Sequence, residues 1–309
     1  MKEPEIVKET AHRVLLENPD PVVRFRLLRD VLVAEPDSDG LVQARQEMLQ
    51  SRWVRELRSG QKEDGSWGRF HSATKSGGMI ATTETAVERG LALGLVASDP
   101  IFQTTIDYLT RLLAGEVEFP DPPERNNRWA TGTQLFAAAT LARINPTLPI
   151  LDKPWKLWTE IAERTFASGK YDQEAEIQAH EELTGASVKD SYLVLSGRYQ
   201  LALLGSRAEK LPKDVENALF DWMWHKQDGI GYLGIPLANL PKRLTSGMLE
   251  SFFMSLEIVS RFPTWHRYSL NIVDWMWKQR NDSSPTTNRI PARSRARMAM
   301  REALVMKRT

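Results

Sequence analysis

Residues Gln61-Lys62-Glu63-Asp64-Gly65-Ser66-Trp67-Gly68 decide the architecture, because their pattern returns twice, each time behind an amphipathic, Trp-rich stretch with helical spacing. The second copy is Gln227-Asp228-Gly229-Ile230-Gly231-Tyr232. The third is Gln279-Arg280-Asn281-Asp282, and Asp274-Trp275-Met276-Trp277 ahead of it repeats Asp221-Trp222-Met223-Trp224. Gly229 lies 54 residues before its counterpart Ser283, and Gly65 lies 164 before Gly229, close to three such steps. Regular self-similarity of this length marks a stacked repeat. Locally, Gly65 and Gly68 permit backbone angles closed to other residues and so end a helix tightly. Trp67 is expected to lie back across that helix, and Gln61 to bond the free groups at its end.

Working outward, helical periodicity dominates and strand-like alternation is nearly absent. One set of helices is expected over 41–57, 101–113, 155–166, 215–224 and 265–277. A second, more continuously apolar set is expected over 21–33, 82–95, 131–144, 189–204 and 245–259, with Ser, Thr, Asp or Pro at its starts. The sets alternate with the period of the Gln-Asp-Gly copies, so each unit is a helical hairpin of about 50 residues. The expected class is all-α, an α/α toroid of about five to six hairpins, since closure buries the apolar faces that an open array exposes at its ends. Residues 1–280 are expected to form that single body. Residues 281–309 depart from the repeat after Asp282 and form an atypical basic tail or a partial last hairpin.

Composition fits a soluble protein, with 41% hydrophobic and 26% charged residues, and the count of 10 Trp is high. No apolar run approaches a bilayer span, and the charged start suggests a cytoplasmic protein. The absence of Cys removes thiolate nucleophiles and Cys-based zinc sites. The net charge of +1 hides a tail of +5 on a body of −4, which gives no reason to expect nucleic acid as partner. An incomplete ring would leave an apolar edge, which a second copy of the chain would cover as a homodimer.

The Gln61–Gly68 segment resembles the Gln-Trp repeat of the squalene and terpenoid cyclases, whose fold is an α/α toroid shared with protein prenyltransferase β subunits. The second copy has Tyr232 where Trp would be expected, and the third loses its Gly and Trp to Ser283 and Pro285. Leu244-Thr245-Ser246-Gly247-Met248-Leu249-Glu250 and Ala81-Thr82-Thr83-Glu84-Thr85-Ala86 look like starts of inner helices in that family. The resemblance implies a proton donor within an Asp-x-Asp-Asp-Thr motif, about 40 residues before a Gln-Trp repeat. The matching stretch is Ser187-Val188-Lys189-Asp190-Ser191, where Lys189 takes the acid position and Asp190 alone survives. An ammonium group cannot protonate an alkene, so class II cyclisation is not expected. The metal-dependent prenyltransferase chemistry needs a Cys, which this chain lacks.

If a toroid closes, the heads of the inner helices surround its cavity. Glu84, Asp190 and Glu250 then become candidate general acids and bases, with His71, Lys75, Trp129, Lys189 and Tyr192 as ligand-binding residues. The alternative for Glu84 and Asp190 is capping of helix starts, with Lys189 pairing one of them. The five histidines show no metal-ligand spacing, and no motif calls for a cofactor. His225 is expected to have a packing or surface role, and the Trp-Met-Trp pairs to pack between hairpins. The acidic stretch 171–185 reads as an exposed excursion or a lid. The leading functional expectation is a central cavity that binds or transforms a small, partly apolar molecule. A carbohydrate-active or other hydrolase or lyase and a non-catalytic interaction scaffold are the alternatives.

Overall fold

A computed structural model describes residues 3–17, 19–71, 80, 82–123, 129–186 and 194–281. Helices dominate these residues and no strand occurs among them. The chain divides into two compact units, which among the described residues run up to Tyr108 and from Leu109 onward. The sequence positions of Lys75, Lys189, Asp190 and Tyr192, and the basic tail from Asp282 onward, lie outside the described residues.

The first unit contains α1 (Glu3–Leu16), α2 (Pro21–Arg26), α3 (Asp39–Leu49), α4 (Arg52–Gly60), α5 (Thr83–Leu93) and the start of α6 (Pro100–Ala114). Asp20 caps α2 by accepting from Val22 N, and Pro21 supplies a first residue that needs no hydrogen bond. The helix expected over 41–57 is two helices. Ser51 takes an extended backbone and its hydroxyl accepts from Val54 N, which starts α4 afresh. Past α2 the chain winds into a π-turn, Leu27–Val31. Buried Arg26 donates to the carbonyls of Leu91 and Ala92 and pairs with Asp30, while Arg29 donates to Gly94 O. Two cations thus meet the carbonyl end of α5, where a helix carries its partial negative charge. Gly94 closes α5 with φ of 100°, and a Cβ there would lie 2.8 Å from the Phe25 ring.

The second unit holds the end of α6 and then α7 (Trp129–Ile144), α8 (Asp152–Thr165), α9 (Gln173–Thr184), α10 (Arg198–Gly205), α11 (Lys213–His225), α12 (Ser246–Val259) and α13 (Ser269–Asn281). In α7 the run Ala137 to Ala142 is buried on every side, because small side chains let neighbouring helices approach closely. Helix α10 packs on α7, and α9 packs on α8. The acidic stretch read as an excursion is therefore α9. Asp172 caps it by accepting from Glu174 N and Ala175 N, with Glu174 and Glu176 in its first turn, so three of the five acids favour a helix start. Of the helix expected over 189–204, the described part is helical only from Arg198, since Gly197 N closes a turn on Val194 O.

Two buried charged groups in this unit fix its connections. Arg207 donates to Pro146 O, Leu148 O and Asp152, fixing the connection between α7 and α8. Glu216 accepts from Thr264 N and Thr264 Oγ1. Trp224 packs against Trp265 and Tyr268, which is the role expected of the Trp-Met-Trp pairs.

Candidate functional site

The loop after α4 brings together two of the predicted residues. Gly65 N donates to Lys62 O at 3.0 Å and Lys62 N to Ser66 O at 2.8 Å, while Asp64 accepts from Ser66 N at 2.9 Å. Gly65 has φ of 90°, and a Cβ there would lie 2.2 Å from Thr104 O, so this turn rests directly on the first turn of α6. The Gln61 side-chain nitrogen shares its two hydrogens among Gly65 O, Ile101 O, Thr104 Oγ1 and Thr105 Oγ1, at 2.9 to 3.2 Å. It therefore ties the loop to α6 rather than serving the end of α4, as the sequence suggested. That end is served by Trp67, which is buried and donates from Nε1 to Leu57 O at 2.9 Å.

Beyond Trp67 the loop runs along the head of α5. Trp67 N donates to Thr83 Oγ1 at 3.0 Å, Thr83 N to Arg69 O at 2.8 Å and Glu84 N to Phe70 O at 3.2 Å. Three successive bonds carry His71 to Glu84, whose Oε2 lies 2.9 Å from His71 Nδ1. Glu84 is 5% exposed, while the His71 side chain is 34% exposed. An ionised carboxylate only accepts, so with Glu84 ionised Nδ1 is the donor of this contact. The cap of α5 is Thr82, whose Oγ1 accepts from Thr85 N, and Glu84 stands as an acid in the first turn behind it, where a helix carries its partial positive charge.

The remaining described candidates belong to the second unit. Trp129 opens α7, half-buried, with its ring edge-to-face on Phe119 at 5.5 Å. Glu250 is exposed in the second turn of α12.

A groove in the second unit was not anticipated as a site. It is open, has a volume of about 550 Å³, and lies between the turn after α8 and the last turn of α11. Tyr171 and Trp222 stack there with ring centroids 4.3 Å apart and an interplanar angle of 15°. Exposed His225 pairs with Asp221 at 3.3 Å, and Lys226 pairs with Asp228. The Lys226 hydrogen bond holds the Asp228 carboxyl below the usual carboxylate range. Tyr171 sits at the edge of a stretch read as a loop and Trp222 inside a helix read for packing, so no sequence signal joined them.

Among the described residues no group of three or more His, Cys, Asp or Glu could hold a metal ion, and no helix is long and apolar enough to cross a membrane. Comparison with protein-family models, curated proteins and solved structures found no match.

Proposed function

We propose that the chain binds or transforms a small, partly apolar molecule, with His71 as general base and Glu84 as the group that orients it. The observation that carries this reading is the 2.9 Å contact between a buried carboxylate and a partly exposed imidazole, held by the bonded loop before it. The pair stands beside buried Phe70 in the loop and among the buried Thr82, Thr83, Ala86 and Val87 at the head of α5. A ligand with an apolar body and one reacting polar atom matches it. His71 Nε2 takes a proton from water or from the ligand, and the Glu84 carboxylate stabilises the imidazolium that results. The protonating step of class II cyclisation has no part, because Lys189 stands where its acid would be. The alternation of the two helix sets supports an α/α toroid of the terpenoid-cyclase type as scaffold. The test is a panel of isoprenoid alcohols and short-chain chromogenic esters, read by thermal shift and by turnover. His71→Ala should lower turnover of the responsive substrate by roughly 10²-fold or more, the usual worth of a positioned base. Undiminished turnover in that variant, or no response across the panel, would remove the proposal.

A further inference from the structure

The groove of the second unit has a chemistry of its own. Its Lys and Asp charges, Lys170 and Lys226 against Asp221 and Asp228, balance to zero. Both carboxylates already have partners, Asp228 in Lys226 and Asp221 in His225. An ionic ligand would have to break these pairs without gaining net charge. What the groove offers is a half-buried aromatic wall beside carboxylates that accept hydrogen bonds and a Lys and a Gln that donate them. It is open rather than enclosed, so it suits a chain that runs out at both ends more than a small molecule needing burial on all sides.

We propose that this groove binds a neutral oligosaccharide, the sugar rings lying along the Tyr171–Trp222 wall and their hydroxyls bonding Asp221, His225, Gln227 and Asp228. A hydroxyl is both donor and acceptor, so it joins an existing ion pair without breaking it. The C–H faces of a sugar ring bury apolar area against an aromatic side chain whose edge stays wet. The site belongs to a different unit from His71 and Glu84 and stands whether or not that pair is catalytic.

The test uses the full chain and a set of neutral hexaoses: cellohexaose, maltohexaose, mannohexaose, xylohexaose and the hexamer of N-acetylglucosamine. Calorimetry and Trp fluorescence should show saturable binding of at least one. Trp222→Ala should weaken that binding about tenfold or more, which corresponds to about 1.4 kcal/mol. Because Trp222 also packs on Tyr171, the exposed variants Asp221→Ala and His225→Ala are measured beside it. Each should weaken binding at least about threefold while leaving the circular dichroism spectrum unchanged. Absence of binding by every hexaose, or binding indifferent to both exposed variants, overturns the proposal. So does tetramethylammonium bound in place of sugar and lost in Trp222→Ala.

Discussion

Replacing Trp67 by Ala and by Phe separates two contributions that the structure assigns to this side chain. The indole is 6% exposed and lies against α4, where its Cδ1 would come within 3.2 Å of a Cβ at Gly60. Its Nε1 donates to Leu57 O, one of the last four carbonyls of α4, which have no partner within their own helix. Gln61 N, the next amide along, bonds Arg58 O instead. Trp67→Ala loses both packing and hydrogen bond and should cost about 3 to 5 kcal/mol. Trp67→Phe keeps most of the buried ring but leaves Leu57 O unmatched, which should cost about 1 to 3 kcal/mol. Urea unfolding followed by far-ultraviolet circular dichroism measures both without relying on the fluorescence that the substitutions alter. Equal losses in the two variants would show that the hydrogen bond carries the whole effect. Losses under about 1 kcal/mol in both would show that the loop does not depend on Trp67 at all.

Gln61→Glu should destabilise more than Gln61→Ala, because a carboxylate would face the carbonyls of Gly65 and Ile101, whereas Gln227→Ala should change stability by less than about 0.5 kcal/mol, since Gln227 bonds only the nearby His225 O; urea midpoints decide both. Tyr232 is 79% exposed with φ of 64°, so Tyr232→Gly should be neutral or stabilise by up to about 1 kcal/mol, and a clear loss on denaturation would mean that its ring packs after all. Burial of His180 lowers its pKa, so the folded state keeps the ring neutral where the unfolded chain binds a proton. Stability should therefore be full above about pH 6.5 and decline as pH falls below it, and His180→Gln should flatten that decline in urea midpoints taken at pH 7.5 and about pH 5.5.

The helices were legible because their apolar spacing and start signals are local. Pro21, Thr82 and Thr245 all stand where expected, immediately at or before α2, α5 and α12. The 164-residue step from Gly65 to Gly229 is the register that the backbone keeps, but on it Tyr232 does not stand in the place of Trp67. Gly65 N bonds Lys62 O and Gly229 N bonds Lys226 O, so the turns align Lys62 with Lys226 and Gly68 with Tyr232. Both of the latter have positive φ, 92° and 64°. On that alignment Gln61 corresponds to His225, and Gln227 falls at the position of Glu63, which explains why it reaches no neighbouring helix. The two Gln residues share a letter and not a position, since the common register is that of the Asp-Gly turn. His71 and Glu84 were each visible as chemistry-bearing residues, but their contact depends on the path of a loop fixed by Thr83 Oγ1 and two backbone bonds, which no spacing encodes. The Tyr171–Trp222 stack joins residues 51 apart on unlike elements, and only tertiary packing creates it.

The carbonyl end of α5 is completed by guanidinium groups from the α2 segment, so the helix bearing Glu84 has no independent terminus to fray. Opening its last turn leaves Arg26 and Arg29 with Asp30 but without the carbonyls of Leu91, Ala92 and Gly94, and opening the π-turn takes the guanidinium donors from those carbonyls. The two segments should therefore behave as one foldon. In native-state hydrogen exchange, amides in the last turns of α5 and those of α2 should share one opening free energy and one denaturant slope, although more than 60 residues of sequence separate Arg26 from Leu91.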